Sequence, residues 1–115
     1  MATLELTLKE HPEWREPIGR VMDLVRTVPP GTAIDPYVVA HQVALNTVEV
    51  LAYLHVLEQV HLGRVLFRVV DPSGIEVRRY ERWEEVPAVE QDDFGFTFRV
   101  EPEMIELIFS ASSLP

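Results

Sequence analysis

Hydrophobic and polar residues change period several times along the chain. Residues 3–8, TLELTL, alternate strictly, with Leu4, Leu6 and Leu8 on one side and Thr3, Glu5 and Thr7 on the other. That period of two predicts a half-buried strand. His11-Pro12 interrupts it, and Ile18, Val21, Met22, Leu24, Val25 and Val28 then recur at helical spacing, predicting a helix over 13–28. Pro29-Pro30-Gly31 stops that helix. Thr32–Ile34 is long enough for one very short strand. Asp35-Pro36 then reads as a helix start, with Asp as the cap and Pro at the first helical position. The helix it opens, 36–43, is expected to pack through Tyr37, Val38, Ala40 and Val43. After a turn at Leu45-Asn46, a longer helix is predicted over 47–62, capped by Asn46 or Thr47 and ended by Gly63.

From residue 64 the period falls back to two. In RVLFRVV, Val65, Phe67 and Val69 share one face, and Arg64, Leu66 and Arg68 the other. Asp71-Pro72-Ser73-Gly74 is a turn, and 75–83, IEVRRYERW, runs back to make a β-hairpin. Beyond Val77 the faces are open: strict alternation puts Arg79 with Ile75 and Val77, whereas a bulge turns Tyr80 inward. Residues 84–95 read as a solvated acidic loop and 96–100, FTFRV, as a strand with Phe96, Phe98 and Val100 on one face. Glu101-Pro102-Glu103 is expected to open a last helix over 102–110, with Met104, Ile105, Leu107, Ile108 and Phe109 as its apolar positions. The tail from Ser110 has no pattern.

Length and composition set bounds. A chain of 115 residues with 47% apolar and 25% charged residues is an ordinary globular domain. It is read as a single domain over 1–115, with a core over 13–83 and an acidic extension over 84–115. The absence of cysteine excludes a disulfide scaffold, a thiol nucleophile and cysteine-ligated metal. No apolar run approaches a membrane span, and no basic start followed by an apolar stretch marks a signal peptide. A reducing, cytoplasmic setting with no membrane partner is therefore the expectation. Charge is uneven: 8 basic and 10 acidic residues in 1–80 leave −2, while 2 basic and 9 acidic residues in 81–115 leave −7.

The order of elements from residue 13 resembles a winged helix-turn-helix domain. The residues that carry the resemblance are the PPGTAIDP connection, the short helix YVVAHQVAL, the turn at Leu45-Asn46, the helix NTVEVLAYLHVLEQVHLG and the wing RVLFRVVDPSGIEVRRY. It covers 13–80 and implies an α+β fold: a winged helix-turn-helix core of three helices plus a β-hairpin wing. The strand at 3–8 and the strand and helix at 84–110 would be additions at its two ends. The resemblance also implies a DNA-reading helix at 47–62. On a helical wheel, however, the outward arc of that helix holds Thr47, Val48, Leu51, His55 and Glu58, and the segment contains no Arg or Lys. A major-groove helix offers cations and amides to bases and phosphates. A neutral, partly apolar arc instead suits contact with protein.

The wing holds Arg64, Arg68, Arg78, Arg79 and Arg82. These are the residues that would touch nucleic acid, although pairing with Glu76, Glu81 and Glu84 across an exposed sheet face accounts for them as well. Nothing points to catalysis. The four histidines lack metal-pair spacing, no serine sits in a nucleophile elbow, and the five glycines are scattered. No cofactor, metal or catalytic residue is expected. Trp83 and Phe94 flank the acidic loop as possible interface anchors, with core packing the plainer role, and Phe96 and Phe98 at strand spacing read as core. Sequence thus predicts a non-enzymatic module that binds a protein partner or itself as a homodimer through the outward arc of 47–62. The alternatives are a regulator that holds DNA through the wing and an acidic mimic of DNA that inhibits another protein.

Overall fold

A computed structural model describes residues 3–112 of the chain. Among them are four α-helices and five strands, in two antiparallel sheets, so the α+β class stands. The chain divides into two compact units, 1–65 with 109–115, and 66–108, and the divisions fall inside two strands.

The first unit is helical. α1 (Leu4–Glu10) occupies the segment where alternation predicted a strand. The Thr3 hydroxyl caps it by accepting the Leu6 amide, Glu5 lies in its first turn and Lys9 in its last, each matching the helix dipole. Leu4 and Leu8 lie four apart, which suits a helix as well as a strand, and only Leu8 is buried while Leu6 is exposed. Arg15 donates to Glu5 at 3.1 Å, an exposed tie between α1 and the next helix. After a 3-10 turn (Pro12–Trp14), α2 (Arg15–Val25) buries Ile18, Val21 and Val25. Ile34 makes a single antiparallel bridge with Phe109, all that forms of the short strand at 32–34.

α3 (Pro36–Val43) starts as its sequence dictates: the Asp35 carboxylate accepts the Tyr37 amide at 2.9 Å, and Pro36 stands in the first turn. Its inward residues are Pro36, Val39, Ala40 and Val43, whereas Tyr37 and Val38, expected to pack, face outward. Arg20 of α2 donates to the Val43 carbonyl at 2.6 Å, meeting an acceptor that α3 leaves open at its end. Ala44, with φ 57, reverses the chain into α4 (Thr47–Gln59), which Asn46 caps by accepting the Glu49 amide at 2.8 Å. α4 buries Val50, Leu54 and Leu57.

Gly63 does not end α4. The helix stops at Gln59, and the left-handed residue after it is His61, with φ 65. Gly63 begins β1 (Gly63–Val70), where a Cβ would overlap the ring of Phe109 and stand 2.8 Å from the Ser110 carbonyl oxygen. Glycine is there for close approach. The buried Phe109 ring fills that space, a burial worth about 2–3 kcal/mol.

The second unit is built from hairpins. β1 lies between β2 (Glu76–Tyr80) and β5 (Ile105–Ala111) in a three-stranded sheet. β1 and β2 pair antiparallel with Phe67 opposite Tyr80, Arg68 opposite Arg79 and Val69 opposite Arg78. The register then shifts so that Val70 faces Glu76, leaving Val77 as the extra residue of a bulge. Tyr80 therefore shares a face with Phe67, the second of the two outcomes open from sequence.

The acidic segment is not a plain loop. It contains a 3-10 turn (Trp83–Glu85) and β3 (Val89–Gln91), which pairs antiparallel with β4 (Thr97–Arg99) as a second hairpin. The expected last helix is also absent. Pro102 opens a 3-10 turn (Pro102–Met104), and the chain then extends as β5. Apolar residues on both sides of 104–109 fit a strand with two covered faces as readily as a helix, and pairing with β1 decides the matter.

Candidate functional site

α3 and α4 each turn an uncharged side outward. On α4 the exposed residues Val48, Ala52, His55 and Gln59 are spaced by four, three and four, a single stripe along the helix. Val48 is 77% exposed. Glu49 lies next to it, and its carboxylate takes a hydrogen bond from the Asn46 side chain at 2.6 Å. On α3, Tyr37, Val38, His41 and Gln42 are exposed, with Tyr37 at 72%. From Thr27 to Gly63 the chain has neither Arg nor Lys. These two helix faces thus carry large apolar groups in water and no cation.

The residues that sequence assigned to this surface separate. Val48 and His55 are outward. Thr47 and Leu51 are half-buried. Glu58 works internally: its Oε2 accepts the Val65 amide at 2.8 Å, and its Oε1 lies 3.5 Å from His55 Nδ1. Tyr37 and Val38 belong to the exposed set instead. Val38, Val39 and Val43 are equally apolar, so the sequence does not mark which side of α3 the fold covers.

The wing arginines stand among carboxylates. Arg68 lies 3.2 Å from Glu106 and 3.9 Å from Glu76, with its side chain only 25% exposed. Arg79 is 3.0 Å from the same Glu76, and Arg78 is 3.6 Å from Glu90. Arg64 and Arg82 are exposed, at the start of β1 and just before the Trp83–Glu85 turn. Glu90 also accepts the hydroxyl of Tyr80. Burial, and then that hydrogen bond, push the Tyr80 phenol up to about 12.

The tip of the second hairpin is a distinct feature. Asp92 Oδ1 accepts the amides of Phe94 and Phe96, each at 2.9 Å, and Gly95 takes φ 87. This is the turn that also closes the first hairpin, where Asp71 Oδ1 accepts Ser73 at 2.8 Å and Ile75 at 3.0 Å, with Gly74 at φ 86. At the second tip the side chains held out are phenyl rings, with Phe94 85% and Phe96 72% exposed. Phe96 is not core, while Phe98 is half-buried. Trp83 packs edge-on against Phe67, ring centres 5.7 Å apart, and remains partly exposed.

Among the described residues, no group of three or more His, Asp or Glu is placed to hold a metal ion, and no helix is long and apolar enough to cross a membrane. Comparison of the chain with protein-family models, with curated proteins and with solved structures returns no match.

Proposed function

We propose that this chain is a non-enzymatic protein-contact module on a winged-helix frame, and that it associates with a second copy of itself through the outward side of α3 and α4. The frame is supported by the order of α2, the Ile34 bridge, α3, a three-residue turn, α4 and the β1–β2 hairpin. The observation that carries the contact is the exposure of Tyr37, Val38 and Val48 on helices without a single Arg or Lys. Large apolar side chains in water lose free energy on burial, about 25 cal/mol per Å². A helix face without Arg or Lys lacks the cations whose neutralisation of phosphates supplies most of the affinity for duplex.

Charge selects the occupant. At −9 per chain, two copies repel over most of their surface. A nearly neutral face is where that repulsion is smallest, and a self-complementary face closes into a two-fold dimer. The neutralising carboxylates beside Arg68, Arg78 and Arg79 weigh against DNA held by the wing.

The test is the solution mass of the wild type beside Val48→Asp and Tyr37→Ala. The reading requires a dimer that either variant weakens, with helical content unchanged. A wild type that stays monomeric at high micromolar concentration would overturn it.

A further inference from the structure

A separate feature of the first unit has a different use. A cavity of about 230 Å³ opens beside the end of α2, walled by Met22 and Val25, by Val28 of the connection that follows, by Leu57 of α4, and by Leu62 and Ala111. Arg26 and Ser112 supply the polar groups at this cavity. The walls contain no aromatic ring. Met22, with its flexible thioether, and the two leucines adjust readily around a bound alkyl chain.

We infer that this cavity binds a straight-chain aliphatic carboxylate of about ten heavy atoms, with Arg26 receiving the carboxylate. Size sets the length: a cavity of about 150 Å³ admits benzene with its six heavy atoms, and this one is half as large again. Polarity sets the orientation, because the alkyl chain gains from burial among Val25, Leu57 and Leu62 while the head stays at the exposed guanidinium. Arg26 is suited to that task. Its ion pair with Asp23 is 4.0 Å long, the outer limit of such contacts, with both side chains largely exposed. A planar guanidinium so weakly engaged is open to the two parallel hydrogen bonds that a carboxylate accepts. The ligand's single charge also suits a chain of −9, which opposes more highly charged anions more strongly.

The experiment uses octanoate and 1-octanol as probes on the full chain, followed by titration calorimetry and by the methyl resonance of Met22. Octanoate is expected to bind one site with a dissociation constant on the order of 10⁻⁴ M. Arg26→Ala should weaken octanoate by about tenfold and leave octanol unchanged. Val28→Trp should abolish both by filling the cavity, and Ala111→Leu serves if the tryptophan variant does not fold. Absence of saturable octanoate binding would overturn the inference. So would equal octanoate affinity in wild type and Arg26→Ala, because the carboxylate would then have no receptor.

Discussion

The carboxylate of Glu58 accepts the amide of Val65, 2.8 Å away, and so ties the last turn of α4 to the start of β1. A residue expected to face a partner is instead a structural acceptor. Glu58→Ala leaves that amide without its partner, and about 1–2 kcal/mol of stability should be lost in a denaturant titration. Glu58→Gln keeps an acceptor and should lose less. Neither variant should change the solution mass, which separates this role from that of Val48.

Gly63 and Phe109 make a second such pair. Gly63→Ala places a methyl group where the Phe109 ring lies, and overpacking of this kind costs about 1–3 kcal/mol. The double variant Gly63→Ala, Phe109→Leu should recover part of the loss relative to the sum of the single changes. Strict additivity in thermal denaturation would contradict the close approach.

Tyr80 should be recognisable by titration. An ordinary phenol ionises near 10, and Tyr80 near 12. The folded state holds this proton more tightly than the unfolded one, so the stability it contributes is full below pH 10 and is lost as pH rises through 12. Absorbance at the phenolate band should show one late-titrating tyrosine that Tyr80→Phe removes. The same variant leaves Glu90, whose side chain is 10% exposed, with Arg78 as its remaining ion partner, and should destabilise the fold by about 1 kcal/mol.

The tip of the second hairpin depends on one side chain. Asp92→Ala removes the acceptor of both the Phe94 and Phe96 amides, and both should exchange with solvent several times faster. The Ser73 and Ile75 amides, held by Asp71, should be unaffected.

Much of the architecture could be read from residues alone, where a local signal and a periodic one agreed. Asp35-Pro36 marked the start of α3 to the residue, and Asp71-Pro72-Ser73-Gly74 marked the first hairpin. The second hairpin uses the same Asp and Gly placement at Asp92 and Gly95, but without Pro, and with charges on both flanks that suggested a loop. Period alone was right for β4 but misled at 3–8 and at 102–110. TLELTL alternates, yet Leu4 and Leu8 also lie four apart, and the cap at Thr3 decides for a helix. Residues 105–111 are apolar on both sides, and pairing with β1, which no local pattern encodes, makes them a strand. Of the proposed contact surface, the outward positions Val48 and His55 were legible in the wheel of α4. Tyr37, Val38 and Phe96 were assigned inward, because an apolar residue carries no mark of whether the fold will cover it.

The most direct test of the central claim is light scattering of the purified chain, run alongside a duplex-binding assay at low salt. The account predicts a mass twice the 13.2 kDa of one chain, reduced toward one chain by Val48→Asp, and no shift of the duplex. A monomeric wild type that retards duplex, with an affinity that falls steeply with salt and is lost in Arg78→Ala, Arg79→Ala, would contradict it.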